Sequence, residues 1–307
     1  MNPGQAGEYI RRINLVGDYI DRNLGNELTL SELASVAGFS EYHFHRIFAA
    51  MTGETLFNFI MRLRTERAAT LLCSRPELNV TQIAADCGFS SHAVFCRLFK
   101  KRFGCAPSEF RHRNHDQALS SLGQLLRNHG EAPEDAAYYN GIITEPRREL
   151  MNPVVSIEKI EKTRLAYIRY VGPYAGDAQL FENLYGRLFA WAKPRGVDTS
   201  VTYVLYHDDP AITEETKLRI SVCVPIGEDV AVSGEVCEME AFGGTCAVGH
   251  FDLKNGEYDQ AWASMYSGWL PTSGYTPANE PCFERYREGC DADGSASVDI
   301  CIPVQVL

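Results

Sequence analysis

The chain has 307 residues, of which 45% are hydrophobic and 22% are charged, and its formal net charge is −11 at pH 7. This length is typical of two domains that each bury a core. The sequence contains no run of 18 apolar residues and no signal-peptide pattern at its N-terminus, so we expect a cytoplasmic protein without membrane contacts.

The cysteine and histidine patterns argue against a disulfide framework and a metal site. None of the ten cysteines forms a C-x-x-C pair. Cys87, Cys223 and Cys301 replace small apolar residues in predicted helices and strands, which favours buried thiols. His112 and His115 lie close in sequence, but no nearby cysteine or paired carboxylate completes a metal site. We therefore expect no metal and no other cofactor.

The first predicted element is an amphipathic helix near the N-terminus. Apolar residues on one face of such a helix recur with a period of 3.6 residues. We expect this face to pack on the helices that follow. Its residues are Tyr9, Ile10, Ile13, Val16 and Ile20.

A short pattern then occurs twice between Leu28 and Phe110. Ala34 aligns with Ala84 and Gly38 with Gly88, at an offset of 50 residues. This period, repeated twice, indicates a duplicated supersecondary unit. Each copy predicts a helix, a tight turn at the glycine and a second helix, with Ser40 or Ser90 as the N-cap of the second helix. The predicted inner faces of the second helices are Phe44, Ile47, Phe48 and Met51, and Phe95, Leu98, Phe99 and Phe103.

The second helix of each copy leaves a polar face that suits a DNA major groove. Arginine can pair with guanine, and small or aromatic side chains can contact the thymine methyl group. The alternative is a merely solvated face, but two copies with matching turns and an arginine at corresponding positions favour DNA. The predicted DNA-binding residues are Tyr42, His45 and Arg46, then His92, Ala93, Arg97 and Lys100.

Basic residues concentrate in this part of the chain. Residues 1–115 contain 14 Lys/Arg and 11 Asp/Glu, whereas residues 116–307 contain 15 and 29. The regional charges are therefore +3 and −14. Because phosphate neutralisation needs basic residues, we assign the DNA contacts to residues 1–115.

The second copy carries a recognisable signature from Gly88 to Arg111, with the pattern Gly-Phe-Ser, Phe-x-Arg-x-Phe and Gly-x-x-Pro-x-x-Phe-Arg. It resembles that of the AraC/XylS-type transcriptional regulators, over about Gly7 to Arg113. The resemblance implies seven helices, with two helix-turn-helix units joined by a long helix at about Leu56 to Cys73. It also implies binding to double-stranded DNA in two adjacent major-groove segments, with RNA polymerase as a partner. The residues named above, apart from Lys100, match the family's groove-contacting positions.

Residues 116–152 are predicted to be a linker. Their hydrophobic pattern is weak, and Pro, Gly and charged residues are frequent after residue 129. One short helix is predicted from the spacing of Leu119, Leu122, Leu125 and Leu126.

Residues 153–307 contain a fainter repeat and predict an α+β domain. Residues 221–226 resemble residues 299–304, at an offset of 78. Each copy predicts strand, helix, strand and strand, and together they form one curved antiparallel sheet. We expect helices on one face of the sheet and a ligand cleft on the other. The predicted elements are Leu165–Val171, Gln179–Ala192, Thr202–His207, Leu218–Pro225, Thr245–Phe251, Tyr258–Trp269, Cys282–Arg287 and Ser297–Val304.

Four motifs in this region occur in a characteristic order: Val171-Gly-Pro-Tyr174, Asp208-Asp-Pro210, Trp269-Leu-Pro-x-Ser-Gly274 and Pro281-x-Phe-Glu-Arg-Tyr286. The series resembles the GyrI-like effector-binding domain, also found in multidrug-sensing regulators, over about Val154 to Leu307. The resemblance implies a cleft for small aromatic or cationic ligands, with a carboxylate matching Glu284. The candidate ligand-binding residues are Glu284, Tyr286, Trp262, Tyr266, Trp269 and Tyr174.

A carboxylate among aromatic rings has a definite ligand chemistry. Its burial is costly unless a cation neutralises it, and aromatic faces attract the same cation. The alternative is that Glu284 forms a surface salt bridge with Arg285 or Arg287, while the aromatic side chains belong to the core.

The sequence therefore predicts a one-component transcriptional regulator, and not an enzyme, whose second domain senses a small molecule. Three alternatives for that domain stay open. It could be a hydrolase in which Glu284 and Tyr286 polarise an electrophile, although no Ser-His-Asp, Cys-His or metal constellation is present. It could also be a protein-binding module, or a purely structural domain.

Overall fold

The structure, a computed structural model, describes residues 3–113, 151, 153–254, 256–278, 280–287 and 295–306. The chain divides into two compact units. The linker helix predicted at Leu119 to Leu126 lies outside the described residues, and the domain boundaries at residues 115 and 153 stay predictions. The first unit comprises Met1–Asn23, Leu28–Ile60 and Leu150–Leu307, and the second comprises Leu24–Glu27 and Met61–Glu149.

The first helix-turn-helix lies in the first unit. Helix α1 covers Pro3–Arg22, α2 covers Leu30–Ala37 and α3 covers Glu41–Thr52. The α1 face is narrower than predicted, because Ile13, Val16 and Ile20 are buried but Tyr9 and Ile10 are exposed. The predicted amphipathic helix is confirmed in its second half.

Local side-chain chemistry sets the ends of α2. Thr29 Oγ1 accepts a hydrogen bond from Glu32 N at 3.2 Å and caps the first turn. Gly38 ends the helix with a φ of 64°, a left-handed conformation that glycine adopts at low cost. On α3, Phe44 and Phe48 are buried as predicted, whereas Met51 in the last turn is exposed.

The second helix-turn-helix lies in the second unit. Helix α4 covers Leu56–Ser74 and confirms the predicted long helix. Helix α5 covers Val80–Asp86 and α6 covers His92–Phe103, and α7 covers residues 107–113. The seven helices implied by the resemblance are therefore all present.

The start of α6 differs from the prediction by one residue. Its N-cap is Ser91, not Ser90, because one inserted residue separates the two copies after the turn. Phe95 and Phe99 are buried on its inner face. Phe99 packs its ring 5.3 Å from Phe110 of α7, which fixes α6 against the following helix.

We expect Gly88→Ala to destabilise the chain more than Gly104→Ala. Both glycines have a left-handed backbone, with φ of 80° and 75°, which costs an L-residue about 1–2 kcal/mol. A Cβ at Gly88 would lie 2.6 Å from Leu24 O and 2.8 Å from the Arg64 guanidinium, whereas one at Gly104 would meet no atom within 4 Å. Such overpacking adds about 1–3 kcal/mol. Urea denaturation measures the difference, and equal free energies of unfolding would contradict the close contact at Gly88.

The described residues after 153 form a nine-stranded antiparallel sheet with two helices. The strand order is β1-β6-β9-β8-β3-β4-β2-β5, and β7 pairs with β9. Helix α8 covers Ala178–Ala192, and α9 covers Tyr258–Ala263 and continues as a π-helix over Ser264–Trp269. The strands are β1 Val154–Ile160, β2 Thr163–Val171, β3 Thr202–Tyr206, β4 Arg219–Pro225, β5 Cys237–Ala241, β6 Gly244–Leu253, β7 Tyr275–Pro277, β8 Cys282–Tyr286 and β9 Ala296–Val306.

All eight predicted elements of this region are present, and three strands were missed. β1 and β5 lie at the two edges of the main sheet, where charged residues are tolerated and the apolar alternation weakens. β7 has only three residues, too few for a periodic signal.

The predicted side of the ligand cleft is wrong. Glu284 pairs in register with Val204 and Ile300, both of which belong to the cores beneath the helices. The opposite face is itself covered, because Phe242 packs 4.0 Å from Phe283, centroid to centroid, and α1 also lies against it. Helix α1 thus occupies the face on which the sequence predicted the cleft.

Three further observations concern features expected to be absent. In the described ranges all cysteines are free, and Cys87, Cys223 and Cys301 are buried as predicted. Burial raises the pKa of Cys87 to about 12, which keeps the thiol protonated. No helix among the residues described is long and apolar enough to cross a membrane. Over the same residues, no group of three His, Cys, Asp or Glu side chains is arranged to hold a metal ion.

Candidate functional site

The outer face of α3 carries the three residues predicted to contact DNA from the first copy. Tyr42, His45 and Arg46 are all exposed, while the buried Phe44 and Phe48 fix the opposite face. The Arg46 guanidinium lies 5.2 Å from the centre of the Tyr42 ring. A cation–π contact of this kind orients the arginine and leaves its hydrogen-bond donors free for a base or a phosphate.

The outer face of α6 repeats this arrangement with a more basic end. His92, Ala93, Arg97 and Lys100 are all exposed. His92 Nε2 lies 3.6 Å from Cys96 Sγ, one turn along the helix. The last turn contains three consecutive basic residues, Lys100, Lys101 and Arg102. Arginines at corresponding positions of the two copies are therefore both available to a partner.

The predicted ligand carboxylate, Glu284 on β8, is enclosed by aromatic donors. It is only 1% exposed. Its Oε2 accepts hydrogen bonds from the hydroxyls of Tyr206 and Tyr286, each at 2.8 Å. Its Oε1 accepts a third from Trp262 Nε1 at 2.8 Å. We call these four residues the carboxylate cage, which β3, β8 and α9 build together.

The electrostatics of the carboxylate cage are unbalanced. Burial raises the pKa of Glu284, and the hydrogen bonds from Trp262, Tyr206 and Tyr286 oppose that shift. Burial and the nearby Glu284 carboxylate hold the pKa of Tyr206 and Tyr286 well above the usual value, so both stay protonated donors. Glu284 is therefore a buried acid whose hydrogen-bond donors are all neutral, and its ionised form has an unfavourable desolvation energy.

The two arginines beside Glu284 do not neutralise it. Arg285 Nη2 lies 2.7 Å from Asp299 Oδ2, and Arg287 Nη2 lies 3.1 Å from the same oxygen. Successive strand residues point to opposite faces, so the arginines on either side of Tyr286 serve the other side of the sheet. The alternative of a surface salt bridge at Glu284 is therefore wrong.

Further aromatic side chains surround the carboxylate cage. Tyr266 stacks on Trp262 with ring centres 6.0 Å apart, and Tyr174 lies 5.6 Å from Tyr206. Tyr266 is 40% exposed, so it forms the outer wall. The sixth candidate, Trp269, stacks instead on Tyr275. The structure thus places four of the other five candidates around the carboxylate of Glu284.

Sequence reasoning missed Tyr206, which donates directly to Glu284. The internal repeat could have identified Tyr206, because Tyr206 and Tyr286 end corresponding strands of the two copies, at an offset of 80 residues. The hydrogen bond also depends on the pairing of β3 with β8, in which Val204 lies opposite Glu284. That pairing joins the two halves of the repeat, and neither half predicts it alone.

The raised pKa of Glu284 predicts a pH-dependent stability. A buried acid whose pKa is raised on folding contributes stability below its unfolded pKa, and this contribution is lost as pH rises through the folded pKa. Glu284→Gln has no such titration. We expect the variant to unfold at a higher temperature than the wild type at pH 8 and the advantage to shrink as pH falls towards 5. A difference independent of pH would contradict the assignment.

Two shallow surface depressions, of about 570 and 680 Å³, lie away from the carboxylate cage. Arg187 and Glu235 line the first, but they already form an ion pair with each other. Neither depression presents an unneutralised carboxylate among aromatic rings. The chemistry therefore favours the cage, although its carboxylate is covered and a ligand must open it.

Comparisons with known proteins match the two parts of the chain separately. A helix-turn-helix domain model matches residues 33–113, and a model of the GyrI-like small molecule binding domain matches residues 153–305. A protein of Serratia proteamaculans (strain 568) named DNA gyrase inhibitor is 31% identical over 150 residues, which are 48% of this chain and 94% of that protein.

Two further relatives match the helical part. The bifunctional transcriptional activator/DNA repair enzyme AdaA of Bacillus subtilis (strain 168) is 35% identical over 99 residues, 32% of this chain and 46% of that protein. Among solved structures, the DNA-binding domain of AdpA in complex with a target DNA is 24% identical, with a TM-score of 0.33 over 34% of this chain and 94% of that one.

Proposed function

Because the chain belongs to the AraC-type helix-turn-helix transcriptional regulators with a C-terminal GyrI-like small molecule binding domain, we propose that its effector is a small aromatic cation. The cation binds at the carboxylate cage and changes the affinity of the chain for DNA. Helices α3 and α6 read two adjacent major-groove segments, and the complex acts on RNA polymerase in the cytoplasm.

The observation that carries the proposal is the missing counter-charge of Glu284. In the described part of the chain its hydrogen-bond partners are two hydroxyls and one indole N–H, all neutral. A ligand cation would supply the charge that these donors lack, and the surrounding ring faces would attract it. A neutral ligand of the same shape would gain only the burial of its apolar surface.

Trp262 is the group that we propose a ligand displaces. Tyr206 and Tyr286 lie on the central strands β3 and β8. Trp262 lies instead on α9, close to the start of its π-helical end. Such π-helical turns are frequent at functional sites. Movement of the half-buried indole would uncover Glu284 Oε1 without breaking the sheet.

The proposal is tested with the full chain and random DNA duplexes. Bound fragments are selected with and without phenyltrimethylammonium, and affinity for the selected fragment is measured by fluorescence anisotropy at fixed salt, since phosphate contacts make affinity salt-dependent. We expect saturating cation to change the affinity at least about fivefold, the lower range of allosteric coupling. Its neutral isostere, tert-butylbenzene, should leave the affinity unchanged.

Two results would contradict the proposal. Absence of any preferred DNA fragment would contradict sequence-specific DNA binding. A DNA affinity that is unchanged at saturating cation would contradict ligand sensing. Because one relative is named a DNA gyrase inhibitor, supercoiling by DNA gyrase is assayed with the same preparation. Loss of supercoiling without fragment selection would favour a protein-binding function.

A further inference from the structure

Helix α1 is attached to the sheet by two ion pairs whose arginines are buried. Asp18 Oδ1 lies 2.7 Å from Arg169 Nη1 on β2, and its Oδ2 accepts a hydrogen bond from Tyr167 OH at 2.5 Å. One turn later, Asp21 Oδ2 accepts a hydrogen bond from Arg219 Nη1 on β4 at 2.8 Å. We call these five residues the α1 latch.

The two arginines of the α1 latch are desolvated, whereas the Asp21 side chain is 30% exposed. The side chains of Arg169 and Arg219 are only 3% and 6% exposed. Burial would lower the pKa of Arg169, but the adjacent Asp18 carboxylate raises it above the usual value. Loss of one member of a buried pair leaves the other charge uncompensated. Separation of α1 from the sheet therefore costs free energy, because it leaves the charges of Arg169 and Arg219 without the carboxylates of α1.

The same helix also holds the turn of the first helix-turn-helix. Arg12 Nη1 donates hydrogen bonds to Ala37 O at 3.4 Å and Gly38 O at 3.1 Å. Tyr19 OH donates to the Glu32 carboxylate on α2. A displacement of α1 therefore acts on the turn that positions α3.

Strand β3 connects the α1 latch to the carboxylate cage within three residues. Tyr206 donates to Glu284 on the helix-covered face. The next residue, His207, points to the opposite face, where its Nε2 lies 3.2 Å from Arg169 Nη2. Asp208 then accepts hydrogen bonds from Arg219 Nη2 at 2.6 Å and Nε at 2.9 Å. A shift of Tyr206 would therefore move His207, which contacts Arg169, and Asp208, which contacts Arg219.

A second contact reaches the recognition helix itself. Lys217, two residues before Arg219, donates through Nζ to Thr52 O at 3.4 Å and lies 3.6 Å from Glu54 Oε1. Thr52 is the last residue of α3, and a cation near helix-terminal carbonyls is stabilising. The short segment from Lys217 to Arg219, which leads into β4, therefore contacts the end of α3 and contributes an arginine to the latch.

The internal repeat shows that the first half of the sheet is built to receive α1. At the position equivalent to Ser221, 78 residues later, the second half has Asp299. Asp299 pairs with Arg285 and His250 from its own sheet. Ser221 is uncharged, and its Oγ accepts a hydrogen bond from Arg169 Nε at 3.2 Å and lies 2.9 Å from His207 Nε2. The carboxylate that neutralises Arg169 comes instead from α1.

We propose that the α1 latch relays the occupancy of the carboxylate cage to the first helix-turn-helix. The relay runs from Tyr206 through His207 and Asp208 to Arg169 and Arg219, and from these to α1 and the end of α3. It rests on the proposed function, in which a ligand at Glu284 regulates DNA binding. Once Trp262 has moved aside, a cation bound to Glu284 weakens the hydrogen bond from Tyr206 and, through the residues that follow β3, loosens both ion pairs.

The latch itself is tested without ligand or DNA by hydrogen–deuterium exchange of the full chain. Asp21→Asn keeps the side-chain shape and leaves Arg219 paired with Asp208, so we expect this variant to fold. Asp18→Asn is the second variant, and we expect it to weaken the latch more, because Asp18 is the carboxylate that pairs with Arg169. We expect amides of α1 and α2 to exchange at least about tenfold faster in each variant, with β2 and β4 unchanged. The control Asp252→Asn, at an exposed position of β6, should match the wild type. If the amides of α1 and α2 exchange at the wild-type rate in both latch variants, the proposal is overturned.

The relay is then tested through DNA affinity in Asp21→Asn and the control variant. We expect phenyltrimethylammonium to bind Asp21→Asn at least as tightly as Asp252→Asn, because the latch is already loosened. It should change DNA affinity less than twofold in Asp21→Asn and by the full wild-type factor in Asp252→Asn. Faster exchange with undiminished coupling would overturn the relay and leave α1 as a structural contact. Absence of coupling in the wild type would contradict the proposed function itself, whatever the exchange shows.

Discussion

Glu284→Gln is expected to abolish the preference of the chain for phenyltrimethylammonium over tert-butylbenzene. The substitution keeps the shape of the side chain and two acceptor lone pairs but removes the charge. Loss of one member of a desolvated ion pair costs about 3–5 kcal/mol, which corresponds to an affinity loss above about 100-fold. The neutral isostere fills the same volume and should lose little. Isothermal titration of both compounds against both proteins measures the two losses.

The burial of Glu284 sharpens this expectation. At an exposed site the same change would cost under about 1 kcal/mol, so the size of the loss reports whether the cation meets the carboxylate in the cage. Asp252→Asn is the matched control, because it removes a carboxylate at an exposed position of β6. Equal losses for cation and isostere in Glu284→Gln would show that Glu284 does not select the charge.

Arg46→Ala and Arg97→Ala are expected to weaken DNA binding at different parts of one site. Each bidentate arginine–guanine pair contributes about 1–3 kcal/mol of discrimination. The two arginines lie on separate helices, so their losses should add in the double variant. We expect footprints in which Arg46→Ala relaxes protection at one end and Arg97→Ala about one helical turn away.

Lysine variants distinguish base reading from phosphate contact. Arg46→Lys and Arg97→Lys keep the positive charge but lose the planar fork that pairs with guanine. We expect them to lose specificity while the salt dependence of binding stays that of the wild type, because the number of neutralised phosphates is unchanged. Footprints unchanged in both alanine variants would rule out the reading of two groove segments.

The helical domain could be predicted because its signals are local. The turn glycines Gly38 and Gly88 and the apolar spacing within each helix all act over a few residues. Even there, the predicted N-cap of α6 is one residue too early, since the inserted residue precedes the cap and Ser91, like Phe95, follows an offset of 51 residues. Local chemistry fixes which elements form, whereas their ends depend on single residues.

The ligand site was predicted only in part because its geometry is non-local. Glu284 and Tyr286 share one short strand, so their common face follows from the strand period. Tyr206 joins them through the pairing of β3 with β8 across the repeat. The sequence also gave no indication that α1 covers the other face, since Asp18 and Asp21 are ordinary helix-surface acids until Arg169 and Arg219 lie opposite them.

Thermodynamic linkage between the two sites is the most direct test of a ligand-sensing regulator. Phenyltrimethylammonium is titrated calorimetrically into the full chain, alone and in the presence of saturating selected DNA. Binding free energies are reciprocal, so the factor by which DNA changes the cation affinity must equal the factor by which the cation changes the DNA affinity. We expect both factors to be at least about fivefold and equal within error. A cation affinity that is the same with and without DNA would contradict the coupling of the carboxylate cage to DNA binding.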